Sequence, residues 1–294
     1  MRRIPLLLVT IALLSGCGDD SAAPTTLALD FQPNAVHAGI YAADGLRVRV
    51  PSSSTDSLKL LATGRADMAV VDIHDLGLAR ERGADIVGVG ALVQRPLAAV
   101  IAGTATRRPR DLEGKRVGVT GLPSDDAVLR AVVEHDGGDF AKVRHTTIGF
   151  TAVPSLIAGK VDAVVAFWNA EGVALRQRGV RTREFRVDDY GAPRYPELVL
   201  AVKRDGLDGV DPVLDELAAG TRAALADREA TVAKLVEASG ADEALVRAQL
   251  AAVAPALVPP IRLDRAALEG WARFDARFGI LPRRPDVERA FPRR

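Results

Sequence analysis

Three carboxylates in this 294-residue chain stand at or just beyond the ends of apolar runs. Asp30 follows Leu27-Ala28-Leu29 and precedes Phe31, Asp72 follows Met68 to Val71, and Glu171 lies in Phe167-Trp168-Asn169-Ala170-Glu171-Gly172. An ionised carboxylate only accepts hydrogen bonds, and an aromatic face stacks on flat rings. Together they suit a flat, nitrogen-rich ring whose exocyclic amino groups donate to the acids. Each charge-assisted hydrogen bond contributes about 1.5–3 kcal/mol, so two or three with stacking reach micromolar affinity or better. A second role stays open for the Glu171 segment: Asn169 can cap a helix, and Glu171 in its first turn favours the helix dipole. An anionic ligand would call for Arg, Lys or an uncommitted helix N-terminus. The helix opening at Pro123-Ser124-Asp125-Asp126 supplies its own negative charge instead.

Other chemistries find little support. No G-x-x-x-x-G-K-[ST] or G-x-S-x-G is present. His37, His74, His135 and His145 are scattered without metal-ligand spacing. Gly88-Val89-Gly90 lies inside an apolar run with no helix after it, unlike a dinucleotide loop. Neither catalytic residues nor a metal or cofactor is expected. A formal net charge of +1 gives no basic excess for binding nucleic acid.

The single cysteine, Cys17, follows a short basic opening, the apolar run Ile4 to Leu14, and the small residues Ser15 and Gly16. Eleven residues are too few to span a bilayer core of about 30 Å. The pattern reads as an export signal over 1–16, and Leu14-Ser15-Gly16-Cys17 resembles a bacterial lipobox in which Cys17 carries the lipid. Residues 17–25 would then be a tether, and the protein an extracytoplasmic one held at the membrane surface by its acyl chains.

From residue 26 onward, short apolar runs alternate with helical periodicity, which predicts an α/β fold. The sequence also repeats itself. Leu61-Ala-Thr-Gly64-Arg65-Ala-Asp67-Met-Ala-Val70 matches Leu156-Ile-Ala-Gly159-Lys160-Val-Asp162-Ala-Val-Val165, and Leu29-Asp-Phe-Gln-Pro33 aligns with Val119-Thr-Gly-Leu-Pro123. Two similar lobes follow: lobe 1 from 26–102 plus 200–294, with a mostly helical stretch from Pro212 to Phe278, and lobe 2 from 103–199. Ligands of open α/β sheets bind beyond the carboxyl ends of the strands. Asp30 and Asp72 of one lobe should therefore face Thr120 and Phe167-Trp168 of the other across a cleft.

Three segments carry a family likeness: Asp30-Phe31-Gln32-Pro33-Asn34 with His37 and Gly39-Ile40-Tyr41; Asp111-Leu-Glu-Gly-Lys-Arg-Val-Gly-Val-Thr-Gly-Leu-Pro-Ser-Asp-Asp126; and Ile148-Gly149-Phe150 followed by Val161-Asp162-Ala163 through Gly172. Over roughly residues 26 to 205 the chain resembles the thiamine-pyrimidine-precursor binding proteins of ABC importers, in the hydroxymethylpyrimidine-synthase-like group. That resemblance implies a two-lobed type II periplasmic-binding-protein fold, an aminopyrimidine ligand in the cleft, and an ABC permease with its ATPase as partners. It implies that the aromatic after Asp30 stacks on the pyrimidine and that Glu171 reads its amino group from the opposite lobe. The family usually has Trp where this chain has Phe31. Asn34, His37, Tyr41 and the Ser52-Ser53-Ser54 loop would line lobe 1. The expected ligand-binding set is Asp30, Phe31, Asn34, His37, Tyr41, Ser53, Asp72, Thr120, Gly121, Ser124, Trp168, Asn169 and Glu171. Enzymatic relatives in that group use a cysteine-rich motif and pyridoxal phosphate. This chain has Cys17 alone, so a binder and not an enzyme is expected. Two alternatives remain: a binder of another small solute, such as a sulfonate or an aromatic acid, or a ligand-sensing lipoprotein.

Overall fold

A computed structural model describes residues 24–52 and 56–293. The expected signal segment, Cys17 and Ser53 lie outside the described residues. The strands are β1 (Thr25–Ala28), β2 (Leu46–Arg49), β3 (Met68–Asp72), β4 (Ile86–Ala91), β5 (Ala98–Gly103), β6 (Arg116–Val119), β7 (Arg144–Thr147), β8 (Ala163–Phe167), β9 (Thr182–Arg186) and β10 (Leu198–Lys203). They form two five-stranded sheets, ordered β2-β1-β3-β10-β4 and β7-β6-β8-β5-β9. In each sheet the first three strands are parallel and the fourth is antiparallel to both its neighbours. The central strands are buried along nearly their whole length, as strands covered on both faces must be.

The expected repeat is physical. Gly64 and Gly159 adopt φ of 66° and 65°, left-handed values that glycine takes without a side-chain clash. Three residues on, Asp67 accepts the Thr26 N–H of β1 at 2.8 Å, and Asp162 accepts the Arg116 N–H of β6 at 2.8 Å. Each Gly-x-x-Asp thus ends a helix and ties the next strand to its neighbour.

Three boundaries differ from expectation. The first crossing between lobes comes before Ala98, not at Ala102-Gly103, because Ala98–Gly103 is a strand of the second sheet. Its Ala-rich sequence carries little strand propensity, and burial on both faces removes any alternation. The return strand β10 begins at Leu198, two residues before the expected boundary, and β1 already begins at Thr25.

The helices are α1 (Ala38–Ala42), α2 (Asp56–Ala62), α3 (Ile73–Glu81), α4 (Pro123–His135), α5 (Ala152–Ile157), α6 (Val173–Gln177), α7 (Asp211–Ala226), α8 (Arg228–Ser239), α9 (Glu243–Val253), α10 (Arg265–Phe278) and α11 (Val287–Ala290). The C-terminal helices do not serve lobe 1 alone. α7 and α8 pack on α1, but α9 also touches α6 and the turn 168–172, and α10 touches α4. At the α1–α7 crossing, a Cβ on Gly39 would land on Thr221, and one on Gly220 on the Gly39 carbonyl, so glycine permits the close approach. Among the described residues no helix is long and apolar enough to cross a membrane.

Candidate ligand-binding cleft

The carboxyl ends of both sets of strands open on one cavity of about 110 Å³. A single water needs only about 10–15 Å³ on the same kind of measure, so a small organic molecule can be held. From lobe 1 and its crossing come Asp30, Phe31, Asn34, Asp72, Asp75 and Glu197; from lobe 2 come Thr120, Ser124, Asp125, Phe150, Phe167 and Glu171. Six of these are acids, and among the described residues no Lys, Arg or His lines the cavity.

Each acid is placed by local structure. Asp30 follows β1 and pairs with His37 (Nε2 to Oδ1, 2.8 Å). The other ring nitrogen of His37 lies 3.3 Å from the Asn34 N–H and accepts from it, so Nε2 carries the hydrogen donated to Asp30. Asn34 caps the short helical turn Ala35–His37, its Oδ1 accepting the Val36 N–H at 3.0 Å while Nδ2 donates to the Gln32 carbonyl. Both ends of that amide are committed to the backbone. Asp72 ends β3 and caps α3 through the His74 N–H at 2.7 Å. Asp75 lies one turn on, and among the described residues no group donates a hydrogen bond to it. Asp125, near the start of α4, accepts from the Thr120 hydroxyl and from the Gly121 and Leu122 N–H groups, all within 2.9 Å at Oδ2. Glu171 turns back to accept the Phe167 N–H at 3.1 Å. Glu197, buried where the chain returns to lobe 1, accepts the Leu97 and Ala98 N–H groups of the outgoing crossing.

Burial pushes Asp72, Asp125, Glu171 and Glu197 above the usual carboxylate range. It pushes Asp75 up to about 6. Two like-charged pairs span the cleft: Asp30 of lobe 1 raises Glu171 of lobe 2, and Asp125 of lobe 2 raises Asp75 of lobe 1. Behind Asp72, the fully buried His74 contacts Asp275 through Nδ1 at 2.6 Å and Tyr195 through Nε2 at 3.1 Å. Burial disfavours its charged form, but Asp275 and Asp72 overrule that and hold its pKa near 10. His74 is therefore an imidazolium at neutral pH, donating from both nitrogens.

Two aromatic rings meet across the cleft. Phe31 of lobe 1 and Phe150 of lobe 2 make an edge-to-face contact, centroids 4.5 Å apart and planes at 78°. Phe150 keeps 41% of its surface exposed, as an aromatic free to cover a ring does.

Of the sequence-expected residues, Asp30, Phe31, Asn34, Asp72, Thr120, Ser124 and Glu171 line this cavity. His37 and Gly121 stand behind it, holding Asp30 and Asp125. Tyr41 lies on α1 and does not line it. Trp168 is buried elsewhere: its Nε1 donates to the Pro96 carbonyl at 3.1 Å, and its ring lies 4.1 Å from the Arg186 guanidinium and 5.7 Å from that of Arg95. That ring is already covered by arginines. Asn169 makes no side-chain cap. Phe167 holds that position, and the buried Asn169 Oδ1 has no partner among the described residues. Ser53 falls outside the described residues.

Sequence reasoning missed Asp75, Asp125 and Glu197, and left Phe150 without a role. Asp75 could have been found three residues after Asp72, on the same helix face. Asp125 looked like simple dipole complementation, and Glu197 like the start of a strand. Among the described residues no group of His, Cys, Asp and Glu could hold a metal ion.

With that geometry in view, comparison with known proteins is informative. Residues 34–230 match the family described as NMT1/THI5 like. A formylaminopyrimidine-binding protein of Halalkalibacterium halodurans is 36% identical over 217 residues, 67% of this chain and 66% of the relative. A putative thiamine biosynthesis protein of Haemophilus influenzae is 29% identical over 198 residues, 62% of each chain. The matched region thus spans slightly under two thirds of these relatives' own length. Among solved structures, the alkanesulfonate-binding protein SsuA from Xanthomonas axonopodis pv. citri, bound to MOPS, superposes with a TM-score of 0.74 at 21% identity, covering 93% of this chain and 100% of that one. The likeness to SsuA shows the two-lobed α/β fold, and the sequence matches show that this chain belongs to the NMT1/THI5-like family.

Proposed function

We propose that this chain is a solute-binding protein that closes its two lobes on a thiamine-related aminopyrimidine and hands it to an ABC permease with its ATPase. The observation that carries the proposal is a cleft lined, among the described residues, by six acids and two facing phenylalanines and by no cation. Asp30 raises the pKa of Glu171 across the cleft, and Asp125 that of Asp75, because carboxylates facing each other repel when both are ionised. An amino group between Asp30 and Glu171 offers one N–H to each, turning that repulsion into a bridge between lobes. A second donor group would do the same between Asp75 and Asp125. Phe31 and Phe150 would hold the ring's face and edge. Asn34, Asp72, Thr120 and Ser124 complete the wall, and His37 and Gly121 act one step back. The formylaminopyrimidine binding named for the Halalkalibacterium relative fits this cleft.

The SsuA likeness is one of fold, and a sulfonate would meet six acids here with no cation among the described residues to receive it. The reading includes no catalytic step: the lining hydroxyl that meets a carboxylate, Thr120 on Asp125, shares that carboxylate with the Gly121 and Leu122 N–H groups and serves to hold it. It places the protein outside the cytoplasm, tethered through a lipid on Cys17.

The test is a calorimetric and thermal-shift panel of aminopyrimidines and their formyl derivatives, thiamine, taurine and nitrate. Aminopyrimidines should bind at micromolar Kd or tighter and raise the melting temperature. Binding of taurine or nitrate without any pyrimidine would overturn the reading.

A further inference from the structure

The far end of α3 points to chemistry opposite in sign to the cleft. Two cavities there, of about 370 and 580 Å³, share Arg80 and Arg289 as lining residues, with Arg204, Arg283 and Arg284 also at their walls beside the carboxylates of Glu81, Asp85 and Asp286. Three of these five arginines have carboxylate partners: Arg204 pairs with Asp85 at 2.8 Å, Arg283 with Glu81 at 3.4 Å, and Arg284 with Glu269. Among the described residues, Arg80 and Arg289 have none. Arg80 donates to the Ile86 carbonyl, and Arg204 leans on the Arg289 carbonyl at 3.0 Å, which gathers the three guanidinium-bearing chains together. Arg80 sits in the last turn of α3, where a helix dipole favours a cation. That accounts for one arginine and not for three. Burial lowers the Arg80 pKa, and its cationic neighbours Arg204 and Arg289 lower it further, partly offset by Asp85 and Asp286.

A second observation points to a missing acceptor. Trp271 lines the 370 Å³ cavity, is fully buried, and its indole Nε1 has no hydrogen-bond partner among the described residues. The ring edge next to that nitrogen abuts Gly77, which lines the same cavity; a Cβ there would come within 3.1 Å of Trp271 Cζ2. A buried donor left unpaired costs about 1–3 kcal/mol, and an acceptor entering the cavity would recover it.

We propose that this face of lobe 1 binds an oxyanion of the phosphate class, held by Arg80 and Arg289 over the unpaired indole of Trp271. A phosphate group carries several acceptor oxygens on one centre, matching guanidinium forks and a lone N–H donor. The source is either a free phosphate ester or a lipid headgroup.

The test titrates the full chain with inorganic phosphate and follows its two tryptophan indole N–H resonances, assigned with a Trp168→Phe variant. Trp168, whose N–H is held by Pro96, serves as reference. The Trp271 resonance should move with phosphate and not with chloride at equal ionic strength. Arg80→Gln combined with Arg289→Gln should weaken phosphate about tenfold or more. If that pair does not fold, the exposed Arg289→Gln alone replaces it. Vesicle pelleting with Cys17→Ser protein, which lacks any lipid tether, separates the sources. Retention on phosphatidylglycerol but not phosphatidylcholine, lost in the arginine variant, assigns a lipid headgroup; a phosphate response without retention assigns a free ester. An unmoved Trp271 resonance with no phosphatidylglycerol retention overturns the proposal, as does a response that survives the arginine substitutions.

Discussion

The two lobes share one construction and differ where they face each other. Both end a helix in Gly-x-x-Asp, with the aspartate tied to the first parallel strand by bonds of equal length. At the cleft the likeness stops. Lobe 1 places Asp30 just beyond β1 and Asp72 at the end of β3, backed by two buried histidines. Lobe 2 has Thr120 and Phe167 at the equivalent strand ends, and brings its acids in from the helices that follow, as Asp125 and Glu171. The repeat builds the frame, and the departures from it build the site.

Substitutions can break or sharpen that contrast. The largest effect is expected at His74, which has no counterpart in lobe 2. His74→Leu leaves Asp275 buried and unpaired, which costs about 3–5 kcal/mol in chemical denaturation. Because the folded pKa of His74 is raised to about 10, its contribution is fully present below about 6.5 and is lost as pH rises through 10. The gap between variant and wild type should therefore narrow in alkali; a gap that is constant with pH would remove the charged imidazolium from the account. Next comes Glu171→Gln, which keeps the shape but loses the charge. Aminopyrimidine Kd should rise tenfold or more, as about 1.5–3 kcal/mol implies, and an unchanged Kd would leave Glu171 as a backbone cap alone. Phe150→Ala removes one side of the Phe31 contact and should weaken the same ligand about two- to tenfold, from about 0.5–1.5 kcal/mol.

The shared frame gives a paired measurement. Asp67→Ala and Asp162→Ala should each cost about 1 kcal/mol in denaturation from the equivalent backbone hydrogen bond, with the exposed 3.5 Å contact of Asp162 to the Arg116 guanidinium adding little. Costs differing severalfold would show that the turns are alike in geometry and unlike in energy. The smallest effect is one of pH. Asp75 has a folded pKa raised from 3.8 to about 6, so the folded state favours its protonated form. Relative stability is then lost as pH rises between those values, and the curve is flat above them. Asp75→Asn should gain a few degrees of melting temperature on wild type between pH 4 and 6, and a parallel pair of curves would sink this assignment.

Much of the frame was legible because glycine at a helix end and aspartate at a strand start are local signals. The strand ends holding Asp30 and Asp72 were legible for the same reason. Ala98–Gly103 was not, because its β-branched pair Val100-Ile101 is flanked by small residues, and burial on both faces leaves no alternation. Trp168 was misplaced because sequence position puts it at a strand end, whereas what covers its ring, Arg95 and Arg186, comes from segments 73 residues before it and 18 after it. Asp75 and Asp125 were passed over because their partnership is with each other across the lobes, a relation no window of sequence contains.

The antiparallel strands have a consequence for how the molecule is completed. All five strands of the second sheet lie between Ala98 and Arg186, whereas β10 sits between β3 and β4 in the first sheet and is not reached until Leu198. A chain emerging from its N-terminus can therefore finish its second sheet while the first still has a gap between β3 and β4. The lobe that holds Asp30 and Asp72 is begun first and finished last.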